Sequence, residues 1–330
     1  MNPFLQKLSG IVGNDVKVDE PLMLHTHFKT GGPAKYLAVA ETAEEIVELV
    51  KAAVEHHVDW VILGGGTNVL ANDKGFDGLI IKAANRAIEI DESTGRGVAQ
   101  AGALSSAVAR KTADAGLTGL EWAISLPGTI GGAVRGNAGC FGGETKDHLM
   151  DIEVFDAEEE RVKRVSKRAL QMSYRDSKIK RRPWVVLSAV FQLERADREV
   201  TNRRIEEVLK CRLASQPKNA KCAGCAFKNF EFENESELEK LKETVGDAIP
   251  PHFLEQKRIP AGWLIDRLDL KGTCIGGACV NQAHGNFVTS DGTATSDQIA
   301  ELLALLKTRV RNAYGIQLHE EIQYIGFPRS

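Results

Sequence analysis

Two residues far apart in the chain carry the first chemical suggestion. Cys225 sits in Ala223-Gly224-Cys225-Ala226-Phe227-Lys228-Asn229, and Glu321 in Leu318-His319-Glu320-Glu321-Ile322. A thiol has a reference pKa of about 8.5, so it is mostly protonated yet can release its proton near neutrality. Cys225 is therefore a candidate proton donor to an enolate-like intermediate, with Glu321 expected at the same cleft. For Glu321 taken alone, the plain alternative is a surface salt bridge.

The same cysteine admits two competing readings. Cys222 and Cys225 form a C-x-x-C pair, and Cys274 with Cys279 would complete a four-thiol zinc set. The second pair has four intervening residues and no flanking knuckle glycines, so no metal site is assigned. A reversible Cys222 to Cys225 disulfide that blocks the proton donor is the other reading. Six cysteines in 330 residues do not resemble a disulfide framework, and free thiols are expected.

Positioning these groups needs a scaffold, and its elements are legible. Thr42 and Glu45 make a capping-box pattern ahead of Ile46, Leu49, Val50, Ala53 and Val54, which lie on one helix face. Val61-Ile62-Leu63 reads as a strand running into Gly64-Gly65-Gly66-Thr67-Asn68, where missing side chains let backbone amides approach a phosphate. Val69 stands where a dinucleotide fingerprint would need a third glycine, so a Rossmann domain is not expected. A second cluster, Leu126-Pro127-Gly128-Thr129-Ile130-Gly131-Gly132-Ala133, leads into Asn137-Ala138-Gly139 and could line a cofactor with backbone donors. Strands are expected at 79–81, 152–155, 161–165 and 184–193, with Trp184-Val185-Val186-Leu187 the most apolar. A helix at 105–115 should close at Gly116. Charge rises at 194–204, and an amphipathic helix of about 14 residues should open a new domain. Thr295 and Gln298 cap a last helix with the stripe Ile299, Leu302, Leu303, Leu306 and Val310, and Gly315 stops it. The following strand should place Ile316, Leu318, Ile322 and Tyr324 on one face and His319, Glu321 and Gln323 on the other.

Composition excludes several classes. At roughly 150 residues per domain the length fits two or three domains, and 43% hydrophobic content is enough for real cores. A net charge of −3 gives no global pull toward nucleic acid, although residues 161–182 are locally basic. Those cations are either a solvated face or a long-range field for a diphosphate-bearing ligand. The segment 1–10 lacks a signal-peptide pattern and no apolar run approaches membrane-spanning length, so a cytoplasmic protein without membrane insertion is expected.

His25-Thr26-His27-Phe28-Lys29-Thr30-Gly31-Gly32-Pro33-Ala34, the Gly64 to Asn68 loop, the Leu126 to Gly139 segment, Tyr174 to Ser177, Gly224 to Asn229 and Glu321 follow one another in order. In that order they resemble the UDP-N-acetylenolpyruvoylglucosamine reductase family, over residues 22–326. The resemblance implies an α+β fold: a two-part FAD-binding domain of the vanillyl-alcohol-oxidase (PCMH) type and a C-terminal α+β substrate-binding domain. The expected divisions are 1–84 and 85–197 for the two flavin parts, 198–315 for the substrate domain, and 316–330 for a strand returning to the active site.

The resemblance also implies non-covalent FAD, NADPH as co-substrate, a UDP-sugar substrate, a monomer, and a role in peptidoglycan precursor synthesis. Residues 178–186 pass straight from the basic run to a strand, as in the shorter type without the tyrosine loop. Carried over residue by residue, Arg175 would hold the substrate carboxylate and Cys225 would stand where many relatives have a proton-donating serine. Glu321 would orient the arginine or polarise the substrate. Gly64, Gly65, Gly66, Thr67, Asn68, Pro127, Gly128, Thr129, Gly131 and Gly132 would hold FAD, and Lys228 and Asn229 the substrate. Phe230 departs from a usual proline and Trp263 from a usual lysine, while His284 is either packed or a nucleotide contact. Another flavin dehydrogenase of this architecture, acting on a hydroxy acid or lactone, and a zinc-stabilised binding protein are the alternatives.

Overall fold

The capping box forms as the pattern requires: Thr42 Oγ1 accepts from the Glu45 amide at 3.1 Å, and the Glu45 carboxylate accepts from the Thr42 amide at 3.2 Å. Helix Ala43–Glu55 then buries Ile46, Leu49, Val50 and Ala53 completely. The computed structural model describes residues 2–217, 220–232, 234–245 and 249–328. The chain folds as two units, one formed by Met1–Glu20, Pro33–Gly66 and Phe76–Ala214, the other by Pro21–Gly32, Thr67–Gly75 and Ser215–Ser330.

The first unit contains two main sheets. One has the order Val16–Pro21, Pro33–Ala40, Phe76–Ala83, Trp60–Leu63, with Phe76–Ala83 parallel to both neighbours. Helix Ala43–Glu55 supplies the crossover that a parallel pair needs. The other sheet is antiparallel, in the order Arg161–Ser166, Leu149–Asp156, Trp184–Gln192, Arg96–Gln100, Ile88–Asp91. Trp184–Gln192 serves two cores: Val186, Ala189 and Phe191 pack with Val108 and Ile152, while Val185 and Leu187 pack with Leu79 and Ile81. A strand buried on both faces reads as a continuous apolar run, which accounts for its composition. Helix Ser105–Asp114 ends just before Gly116, whose φ is 69°. The helix expected at about 14 residues is observed as Arg198–Ser215, 18 residues long. Its buried stripe is only Thr201, Ile205 and Val208, so apolar periodicity under-reported its length.

The second unit is built on helix Ser296–Tyr314, whose stripe Ile299, Leu302, Leu303, Leu306 and Val310 is fully buried. Thr295 and Gln298 cap it and Gly315 stops it at φ 69°. Asp73 adds a second cap, accepting from the Ser296 amide at 2.6 Å and from the Gly31 amide at 3.1 Å. The Gly31-Gly32 motif is thereby tied to the helix start.

Two expectations are corrected here. Cys274 and Cys279 are joined by a disulfide instead of being free thiols. Strands Cys274–Ile275 and Ala278–Val280 form a tight hairpin that sets the two cysteines opposite each other, with Cα atoms 4.1 Å apart. Two sulfurs bonded to each other supply no thiolate to a zinc set, and the described residues contain no His, Cys, Asp and Glu group placed to hold a metal. The C-terminal alternation also slips. Ile316, Leu318 and Ile322 are buried, but Tyr324 is 39% exposed and Ile325 takes the inward place at 4%. The cause is a change of partner: residues 319–321 run beside 226–228, whereas Gln323–Ile325 pairs in parallel with Val69–Ala71.

No helix of the described residues is long and apolar enough to cross a membrane.

Candidate active site

Within the first unit the two glycine clusters converge. Strand Trp60–Leu63 delivers Gly64 so close to Thr129 that a β-carbon at 64 would lie 2.3 Å from the Thr129 hydroxyl oxygen. Gly66 and Gly128 take left-handed φ values of 64° and 109°, which glycine adopts without steric cost. The clusters differ in what their backbone does. The Ile130 and Gly131 amides donate to Ala103 O at 2.9 Å and Ala101 O at 2.8 Å, fastening helix Ile130–Gly136 to its neighbour. At Gly132, by contrast, a β-carbon would meet nothing nearer than 3.9 Å.

Arg175 occupies a tight turn in the same unit. Ser173 and Asp176 exchange backbone hydrogen bonds across it, and Arg175 itself has φ 53°. Its Nη2 donates to Gly139 O at 2.6 Å, and the guanidinium lies 5.2 Å from the Tyr174 ring centre. Lys180 Nζ donates to Arg175 O at 2.7 Å and Ser177 Oγ to Arg135 O at 2.7 Å, so the conformation is held from both sides. The basic run is largely paired within the unit: Lys163 with Asp156 and Glu159, Arg164 with Asp151, Arg181 with Asp176. Beside this turn, burial pushes the Cys140 thiol pKa up against the opposing charges of Arg175 and Arg212.

The second unit brings Cys225 and Glu321 into register. Residues 225–228 lie as a short extended segment with a partner on each edge. On one edge the Glu321 amide donates to Ala226 O and the Lys228 amide to His319 O, both at 2.8 Å. On the other, Cys225 bridges Phe287 and the Ala226 amide donates to Asn286 O at 2.8 Å. Cys222 and Cys225 are both partly buried thiols with no disulfide between them. Asn68 Nδ2 donates to Glu321 O at 3.1 Å, and the Gln323 amide to Asn68 O at 3.0 Å. The loop residue read as a cofactor contact thus also fixes the glutamate's backbone.

Asn229 Oδ1 accepts from the Ala261 amide at 3.2 Å, which ties the loop to the start of helix Ala261–Asp266. Phe230, in place of proline, continues the chain as a strand residue paired with Ile259. Trp263 packs edge-on against Phe253 with centroids 5.7 Å apart, and Arg267 lies over its ring. His284 is half-buried: its Nδ1 accepts from the Asn286 amide at 3.1 Å and its ring meets Phe287. Burial holds its imidazole pKa below the usual value, Asp266 opposing and Lys271 reinforcing the shift. Sequence reasoning missed Lys180 and Asn286 as site residues. Lys180 lies in the basic run and Asn286 beside His284, but only contacts reveal what they hold.

A family model described as FAD binding domain matches residues 34–165, and one described as UDP-N-acetylenolpyruvoylglucosamine reductase, C-terminal domain, matches residues 216–325. A reductase of that name from Caldicellulosiruptor bescii is 36% identical over 313 residues, covering 93% of this chain and 90% of the relative. The chain belongs to the UDP-N-acetylenolpyruvoylglucosamine reductase family. Another reductase of the family, from Solibacter usitatus, is 31% identical and covers 97% of this chain and 100% of its own. The crystal structure of UDP-N-acetylenolpyruvylglucosamine reductase from Thermus caldophilus superposes with a TM-score of 0.73 at 32% identity, covering 94% of this chain and 99% of that one. The FAD-binding match spans both glycine clusters and the C-terminal match spans Cys225 and Glu321, while Arg175 lies between the two. The fold is the α+β arrangement expected, an FAD-binding domain followed by the reductase family's C-terminal domain. The residues fit FAD: the Gly64 to Gly66 turn carries no side chains, and the open side of Gly132 leaves room that a β-carbon would take.

Proposed function

We propose that this chain reduces the enolpyruvyl ether of UDP-N-acetylglucosamine enolpyruvate to UDP-N-acetylmuramate with NADPH, for peptidoglycan precursor synthesis. The observation that carries the reading is the register of the second unit, where the backbone of Glu321 is bonded to Ala226, the neighbour of Cys225. The two glycine clusters would hold FAD non-covalently, and the bound group would supply hydride-transfer chemistry between NADPH and the terminal methylene of the enolpyruvyl group. As that carbon gains its new C–H bond, the C=C electron pair moves to the adjacent carbon and its carboxylate. Arg175 binds that carboxylate through parallel hydrogen bonds, and a donor aimed at developing charge contributes about 3 kcal/mol. Cys225 gives its proton to the adjacent carbon, and the thiolate is reprotonated by water. General acid catalysis of this kind contributes about 10²- to 10⁴-fold. Glu321 polarises the substrate, and Lys228 and Asn229 bind the sugar nucleotide.

In this reading Gly64, Gly65, Gly66, Thr67 and Asn68, with Pro127, Gly128, Thr129, Gly131 and Gly132, cradle FAD. Residues 1–84 and 85–197 form its two-part domain, 198–315 the substrate domain, and 316–330 the returning strand. The protein acts as a cytoplasmic monomer. The test is anaerobic absorbance spectroscopy on the purified holoprotein. Flavin bands that bleach with NADPH and return on adding the enolpyruvyl substrate are expected. Bleaching without return would overturn the substrate and point to another acceptor; a colourless protein after incubation with FAD would overturn the flavin assignment.

A further inference from the structure

Asn286 is 2% exposed and commits its whole side chain to one residue. Its Oδ1 accepts from the Phe227 amide at 2.9 Å and its Nδ2 donates to Phe227 O at 2.8 Å. A side-chain amide that brackets one residue in this way imitates a strand partner. Its main chain reinforces the grip, since Asn286 O accepts from the Ala226 amide at 2.8 Å. The clamp is itself anchored. His284 Nδ1 accepts from the Asn286 amide at 3.1 Å, and Gly285 lies so close to helix Ala261–Asp266 that a β-carbon there would stand 2.3 Å from Asp266 Oδ1.

We propose that Asn286 is a positioning residue for the proton-transfer step, holding Ala226 and Phe227 so that Cys225 and Glu321 keep their register. This inference rests on the reading of Cys225 as proton donor. The path is short: Asn286 to Phe227 and Ala226, with Cys225 the next residue and the Glu321 amide on Ala226 O. Asn286→Ala leaves the buried Phe227 amide and carbonyl unpaired, so stability falls too, but a displacement of about 1 Å at reacting groups can cost about 10²-fold in rate. In protein that remains folded, loss of the clamp should therefore show in one chemical step.

The experiment compares Asn286→Ala and Asn286→Asp with the native holoprotein. Reduction by NADPH is expected within about twofold of native in both, and reoxidation by substrate at least about tenfold slower at neutral pH. The aspartate adds a diagnostic. Ionised, it cannot donate to Phe227 O; protonated, it has both the O–H donor and the carbonyl acceptor of the native amide. Burial raises a carboxyl pKa, so the Asn286→Asp deficit should shrink as pH falls from about 8 to about 5.5, while the Asn286→Ala deficit stays flat. A second readout needs no turnover: alkylation of Cys225 by iodoacetamide, followed by peptide mass spectrometry, should quicken in Asn286→Ala.

Equal slowing of both half-reactions, a pH-independent Asn286→Asp deficit, or unchanged Cys225 labelling would overturn the proposal. If native protein is not reoxidised by substrate, the functional reading fails, and the labelling rates still decide whether Asn286 holds the loop. Should Asn286→Ala not accumulate as folded protein, the pH dependence of Asn286→Asp decides.

Discussion

Lys180 donates from Nζ to the main-chain oxygen of Arg175 at 2.7 Å, while Arg175 holds a left-handed φ of 53°. That conformation costs a non-glycine residue about 1 to 3 kcal/mol at functional sites, and it persists only when its surroundings over-determine it. Lys180 is one of those surroundings. Lys180→Met should slow reoxidation by substrate about tenfold, leaving FAD content and reduction by NADPH near native. Stopped-flow absorbance of the two half-reactions checks this, and parallel slowing of both would assign Lys180 a general stabilising role.

Cys225→Ala should slow reoxidation at least about tenfold while reduction by NADPH stays nearly intact, because only the second half-reaction needs the proton. Cys225→Ser should retain much of the rate, since a hydroxyl still donates. The same stopped-flow traces report both. Equal effects on the two half-reactions would remove Cys225 from the proton transfer.

Gly64→Ala drives a methyl to 2.3 Å from Thr129 Oγ1, and one of the two glycine clusters must shift. FAD binding should weaken by about tenfold or more, read from the flavin-to-protein absorbance ratio after dialysis. Adding Thr129→Ala relieves the worst contact, because the Thr129 β-carbon stands 3.4 Å from where that methyl would lie, and should restore part of the occupancy. Full occupancy in Gly64→Ala would show that the clusters do not need their present spacing.

Asp156 contributes to the acid behaviour of the first unit. Burial pushes its carboxyl pKa up, but hydrogen bonds from Lys163 and Trp184, with the Glu158 and Glu159 amides, outweigh it and hold the value at about 2. A depressed carboxyl stabilises the fold above its unfolded pKa and loses that contribution as pH falls through the folded one. The window is therefore about pH 4 down to about 2. Asp156→Asn should be less stable by about 1 to 2 kcal/mol at pH 7, with the gap closing as native protein is acidified across that window. Denaturant melts at several pH values check the sign; a gap that widens toward acid would contradict it.

Local chemistry made much of this protein legible in its sequence. Thr42 with Glu45 and Thr295 with Gln298 cap helices wherever they occur ahead of an apolar stripe, because the bonds involved span three residues. The apolar run at 184–187 marked a strand, and the packing of Val186 and Val185 into two different cores showed that both its faces are covered. Ordered motifs pointed to a flavin reductase, and the family matches agree. Other features depended on partners remote in the chain. Nothing near Tyr324 announces that the backbone exchanges the 226–228 segment for Val69–Ala71 and slips its alternation by one. The spacing of Cys274 and Cys279 did not reveal a hairpin that faces them together. Asn286 had no assigned role until its amide was seen on Phe227, 59 residues away. Sequence determined which groups and which local elements this protein has, since propensity, capping and periodicity act over a few residues. Tertiary structure alone decided which backbone each buried amide must satisfy, because an unpaired polar group is costly wherever the folded chain happens to bury it.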